Sequence, residues 1–345
     1  METHPKLSAP ISPRSGAIDV ILAVVTAVLA IAVVGSVAYL GYSVLQQRAM
    51  ERAADPAWRV IEGASALVEE SPEDPQMRVR LGEALASAGR YREAVRELNA
   101  ALEIDPTHTG AHLVLGIIAV MQDDYHTADS YFIRILEDTE GGQFESLGEH
   151  RELAFFYLGE SALSTDRYEE AVGYYKAAIR INRGNADYYF GLGLALKGIE
   201  ELPGALENYE IALVFDPTFA QAHYEMGQVY LMMDDRVNAA VHFAEAARLA
   251  PENDMPTEAL ASLGTVEEWE ARAYEALERG DTDAALEAAL VLRVLEPEDA
   301  EKAVLHAEVV EAMGKPDVAL EVYREALEMA PENGAIKDAI SRLER

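Results

Sequence analysis

Three tyrosines, three basic residues and three carboxylates fall within one helix-length stretch, DRYEEAVGYYKAAIRIN, from Asp166 to Asn182. Phenols beside carboxylates and guanidinium groups are the materials of general acid–base catalysis. A second candidate is the pair His108 and His112, whose one-turn spacing would set two imidazoles on one helix face, as a metal-binding helix requires. The plainer account of both is structural. Glu169, Glu170, Lys176 and Arg180 have the spacing of solvent-facing ion pairs, each worth about 0.2–0.5 kcal/mol. The eight histidines form no ligand set, no glycine-rich phosphate loop follows a strand, and no GxSxG elbow occurs. The chain is therefore read as non-enzymatic, with no catalytic residue, no metal and no cofactor.

The elements that carry these residues sit in a chain of 345 residues, half of them hydrophobic, with no cysteine and a formal charge of −33. Absent cysteine excludes disulfides, cysteine-rich zinc sites, CxxCH haem attachment and a lipid anchor through cysteine, and fits an oxidising compartment. The negative charge is spread along the chain, as on a solvated helical surface, and it opposes phosphate backbones, so no nucleic-acid partner is expected.

Residues 17–42 read AIDVILAVVTAVLAIAVVGSVAYLGY, and no charge interrupts the chain between Asp19 and Arg48. About 25 helical residues at ~1.5 Å each span the hydrocarbon layer with some tilt, longer than the apolar region of a cleaved signal peptide. A transmembrane helix and its extension are expected over 17–46, after an N-terminal tail at 1–16, with Tyr39 and Tyr42 at one interface. Lys6 and Arg14 precede the span while Arg48, Arg52 and Arg59 follow it, so basic residues barely discriminate its orientation. The short tail resembles that of a bacterial signal-anchor protein. The expected location is the bacterial cytoplasmic membrane, with the body outside the cytoplasm.

The body repeats. Gly82, Gly116, Gly159, Gly193 and Gly227 follow at spacings of 34, 43, 34 and 34. Ala94, Ala128, Ala171, Ala205 and Ala239 keep those spacings, and Ala285 and Ala319 resume the period. Leu98, Phe132, Tyr175, Tyr209, Phe243 and Tyr323 each stand four residues beyond their alanine, while Pro106, Pro217, Pro251, Pro297 and Pro331 close most repeats. Small residues belong where two helices approach closely; a ring one turn further fills the space between them, and proline ends the second helix.

These residues resemble the tetratricopeptide repeat (TPR) pattern, over roughly residues 75–333. The resemblance implies an all-α, right-handed superhelical solenoid of about seven helix hairpins, with a capping helix at each end. A connecting and N-capping segment is expected at 47–74, repeats one and two at 75–142, three to five at 152–253, six and seven at 266–333, and a C-terminal cap at 334–345. Insertions at 141–149 and 253–264 predict bends or loops that divide the array into three blocks. Repeat six departs by carrying Arg272 and Ala273 at the leucine and glycine positions and Ala289 at the aromatic one. His112 and His223 share the slot that Trp269 fills in repeat six, which assigns them to packing.

On the first helix of each repeat, a stripe about 100° from the packing face would line the inner groove. It reads Leu113, Ile117, Val120, Phe156, Phe190, Leu194, Tyr224 and Leu231, apolar across repeats two to five, where a solvated face would be polar. The same side chains could instead meet the next repeat or lie under an insertion. Glu267, Glu270, Glu301 and Glu308 make the stripe acidic in repeats six and seven. Repeat proteins that grip chaperone C-termini use lysine, asparagine and arginine there, whereas this chain has Val79, Glu83, Leu113, Ile117, Phe156 and Glu160. The expected function is a membrane-anchored scaffold whose groove takes an apolar protein or peptide partner with basic flanks. A self-assembling structural component, homo-oligomeric through its repeats or its anchor, is the alternative.

Overall fold

The structure, a computed structural model, describes residues 55–138 and 145–345. The tail at 1–16 and the apolar segment at 17–46 lie outside the described residues. Among the described residues, no helix is long and apolar enough to cross a membrane. Those residues are helices and turns, without a strand. They fall into two compact units that divide between His108 and Thr109, within the first of the three expected blocks.

The first compact unit holds α1 (Pro56–Glu70), α2 (Pro75–Ser87) and α3 (Tyr91–Ile104). Asp55 and Asp74 cap the first two, each accepting a backbone N–H, and proline opens both helices, where its missing N–H costs nothing. Val79, Leu85, Ala94 and Leu98 form the core between α2 and α3, against which α1 packs.

The second compact unit is a solenoid of hairpins. It runs through α4 (Thr109–Val120), α5 (Tyr125–Asp138), α6 (Glu145–Ser164), α7 (Tyr168–Ile181), α8 (Ala186–Gly198) and α9 (Leu202–Phe215). It continues with α10 (Ala220–Met232), α11 (Arg236–Leu249), α12 (Asp254–Ser262), α13 (Val266–Arg279) and α14 (Thr282–Leu295). It ends with α15 (Ala300–Ala312), α16 (Pro316–Met329) and α17 (Gly334–Leu343). The repeat residues pack as small against large. A Cβ on Gly193 would stand 2.5 Å from the Tyr209 ring, and one on Gly159 2.8 Å from that of Tyr175. Neither distance is sterically open, so these positions admit no side chain without repacking.

Every hairpin of both units turns through one left-handed residue. Glycine fills it at Gly89, Gly280 and Gly314, while Asp123, Asp166, Glu200 and Asp234 hold φ between 57° and 62°. Two of these aspartates receive a phenol: Tyr168 Oη donates to Asp166 at 2.6 Å, and Tyr125 Oη to Asp123 at 3.2 Å.

The insertions differ from expectation. Residues 254–262, read as a bend or loop, form α12: Asn253 accepts from the Met255 N–H as cap, and Pro256 sits in the first turn, where proline is tolerated. Likewise α6 begins at Glu145, inside the stretch 141–149, so the first helix of repeat three is longer than its pattern predicts. Helix α12 packs on α11, and α11 also packs directly on α14.

Candidate peptide-binding groove

The inner stripes of α6 and α8 and the start of α10 line one cavity of about 540 Å³. Phe156, Leu163, Phe190, Leu194 and Phe219 supply its apolar wall, with Glu160 and Asp187 among its polar residues. Phe156 is fixed by rings on three sides: edge-on to Tyr157 and Tyr175, with centroids 5.2 and 6.2 Å away, and tilted on Tyr188 at 5.2 Å. Phe190 lies 5.7 Å from the Tyr209 ring and 4.7 Å from that of Phe219.

Phe219 is the residue that stripe reading missed, because it belongs to no stripe. It stands at the N-cap of α10 and makes no side-chain cap hydrogen bond. The corresponding residues Asn185, Asn253, Asp299 and Asn333 each accept a backbone N–H in their own repeats. Giving up such a cap costs about 1 kcal/mol. A large apolar residue at a position that is polar in the neighbouring repeats, and asparagine or aspartate at 74, 185, 253, 299 and 333, is the signal that could have found it.

Polar groups brace the cavity from behind. The Tyr175 hydroxyl donates to Glu160, and the phenol's pKa is pushed far up by burial and then by that carboxylate's charge. Glu152 Oε1 accepts from Tyr188 Oη at 2.6 Å and from Asn182 Nδ2 at 2.9 Å, joining α6 to the start of α8 and the end of α7. In the next repeat Leu194 stands in the place of Glu160, and the buried Tyr209 hydroxyl has no hydrogen-bond partner among the described residues. Glu225, whose charge reaches that phenol, is paired instead with Lys197.

The eight stripe residues thus divide. Phe156, Phe190 and Leu194 meet in this cavity. Tyr224 lines an adjoining one of about 390 Å³ with Met255 and Pro256 of α12, and Gln221 borders both. Leu113 is 8% exposed and, with Ile117 and Val120, packs into a cluster containing Phe132, Ala154 and Leu158; these three serve the core beside α6. Leu231 packs on the cluster around Phe243 and Trp269. At the acidic end, Glu301 and Glu308 share a cavity of about 600 Å³ with Tyr274 and Tyr323. Burial, reinforced by Glu311, raises the Glu308 pKa. Glu270 is turned away from a ligand role: it and Glu296 and Asp299 surround the ammonium of Lys302, which is 6% exposed.

The two histidines aligned with Trp269 pack. His112 is buried, its ring 6.0 Å from that of Tyr131. His223 has a partner that repeat comparison did not show, since its Nδ1 lies 3.0 Å from Nδ1 of His242. Tyr230 stacks on His242 at 5.3 Å and 12°.

Stacked helix hairpins with a lined inner face define a class of protein built for contact with other proteins. Models described as tetratricopeptide repeat match residues 64–118, 113–186 and 270–334, and one described as TPR repeat matches 200–234. The chain belongs to the tetratricopeptide repeat family. It is 25% identical to Protein CTR9 homolog of Arabidopsis thaliana over 293 residues, 74% of this chain and 25% of that protein. It is 29% identical to the Hsp70-Hsp90 organizing protein of Triticum aestivum over 96 residues, 28% of this chain and 16% of that one. The chain spans about a quarter or less of the length of the curated relatives it matches. Pseudomonas aeruginosa pilF shares the fold, with a TM-score of 0.50 and 20% identity over 65% of this chain and 95% of that one.

Proposed function

We propose that this protein is a membrane-anchored adaptor that binds an apolar peptide segment of a partner protein without catalysis. The anchor is the apolar stretch at 17–42, and the repeat body stands outside the cytoplasm of a bacterial cell. One observation carries the binding reading: Phe219 forgoes a helix cap and places its ring against Phe190 at the wall of an apolar cavity. Sequences depart from local structural preference chiefly at functional sites. The bound segment is a bulky apolar residue flanked by lysine or arginine. The cavity supplies rings for the first, and Glu160 and Asp187 supply charge for the second.

Selection of a random peptide library on the full-length chain tests this. The expected result is enrichment of sequences with an aromatic or branched apolar residue between basic ones, and loss of their capture by Phe156→Ala and Phe219→Asn variants of unchanged helicity. Failure to enrich any sequence, or equal capture by both variants, overturns it.

A further inference from the structure

The departure in repeat six has a structural outcome outside the groove. The first-helix position occupied by the buried Leu81, Leu115, Leu158, Leu192 and Met226 in repeats one to five holds exposed Arg272 in α13. Ala289 replaces the ring of the second helix, and beneath Arg272 a cavity of about 420 Å³ opens between α11, α13 and α14. Leu263, Ala276, Ala284 and Ala288 give it an apolar floor, and Trp269, 2% exposed, forms one wall.

In a chain of charge −33, three arginines meet at this cavity. Two are answered: Arg236 pairs with Asp234 at 2.8 Å and Glu287 at 3.3 Å, and Arg279 with Glu275 at 3.0 Å. Arg272 has no carboxylate partner among the described residues. Its Cζ lies 4.4 Å from the centroid of the Trp269 indole, which holds the group over the ring. A guanidinium held over a ring in this way loses little freedom on binding, and its fork of N–H donors matches a carboxylate in two parallel hydrogen bonds.

We infer that the cavity between α11, α13 and α14 is a second binding site, which takes an aspartate or glutamate side chain of a partner protein together with a neighbouring small apolar residue. The carboxylate is held by Arg272, and the apolar residue rests on the alanine floor. This site is independent of the groove at Phe190, and its acidic ligand is opposite in charge to the one proposed there.

The two tryptophans of the chain are Trp58 and Trp269, so a full-length Trp58→Phe variant reports on this cavity through indole fluorescence. The probes are a capped Ala-Glu-Ala peptide, its Ala-Gln-Ala counterpart, and sodium sulfate at matched ionic strength. The expected result is a saturable change with the glutamate peptide only. Adding Arg272→Ala weakens that binding at least tenfold, and Arg272→Lys weakens it less, because the lysine keeps charge and loses the fork. Phe190→Ala leaves it intact. No saturable change, equal binding of the glutamine peptide or of sulfate, or unaltered affinity in Arg272→Ala overturns the assignment.

Discussion

The rings of Phe190 and Phe219 meet at 4.7 Å and 41°, one from the middle of α8 and the other from the cap position of α10. This pair separates stability from binding. In Phe219→Asn the cap that Asn185 and Asn253 provide elsewhere would be restored while the wall is removed. The expected outcome is a change in unfolding free energy below about 1 kcal/mol, since the cap offsets the lost ring contact. Affinity for a peptide selected on the wild type should fall at least tenfold. Chemical denaturation and calorimetric titration of the same preparation check both.

Leu194 and Tyr209 make the complementary case. A buried hydroxyl without a partner costs about 1–3 kcal/mol, and Glu160 shows what satisfies one in the preceding repeat. Leu194→Glu should leave the melting temperature equal or higher, with a gain of up to about 1 kcal/mol, while abolishing capture of apolar peptides. A lowered melting temperature would show that Leu194 serves the core rather than the groove.

The imidazole pair sets an acid limit. Burial, together with the neighbouring His223, lowers the His242 pKa to about 4, and burial lowers that of His223. The charges around them are Glu245, held below the usual carboxylate range by its hydrogen bond to Arg248, and Arg248 itself. An unfolded histidine takes its proton near pH 6.5, before His242 does in the fold, so the unfolded chain binds more protons in that interval. This pair's contribution therefore disfavours the fold increasingly as pH drops from about 6.5 to about 4, and is constant below. The His242→Gln variant should show a shallower decline of melting temperature across that window than the wild type. Equal slopes would refute the assignment.

Lys302 holds the last repeats against their own charge. Its ammonium reaches Glu270 of α13, Glu296 after α14 and Asp299 at the cap of α15, and the hydrogen bond it donates to Glu270 raises its pKa. Lys302→Met leaves three carboxylates facing one another. Removing one member of a buried pair costs about 3–5 kcal/mol, and the partial exposure of these partners reduces that to about 1–3 kcal/mol. Added salt should recover part of the loss by screening the repulsion.

The repeat period, the small-against-large contacts and the proline stops were legible because each recurs at a fixed interval. Spacing marked Gly193 as a close-approach position and Tyr209 as an inter-helix filler, and the fold sets the one against the other. The groove was legible only in part. Phe156, Phe190 and Leu194 share one stripe and one cavity, but Leu113, Ile117 and Val120 share the stripe and are packed into the core beside α6. Periodicity tells which face of a helix is apolar, not which neighbour covers it, and α6 begins earlier than its repeat pattern allows. Phe219 and α12 fell outside the pattern for the opposite reason, being local departures that no period repeats. Arg272 was visible as a misfit residue, yet its perch over Trp269 required the fold.

The shared left-handed turn has a mechanical consequence. Glycine relaxes it in the first hairpin and the last two, whereas the four hairpins between them, three of which build the groove, use Asp123, Asp166, Glu200 and Asp234. Each such residue holds a backbone conformation about 1–2 kcal/mol above a relaxed one, less where a local hydrogen bond compensates. Those turns are closed by the weight of helix packing rather than by preference of the chain, like bent springs under a clamp. Each of these central turns therefore stores a small strain, which the packing of its two helices must offset for the hairpin to close.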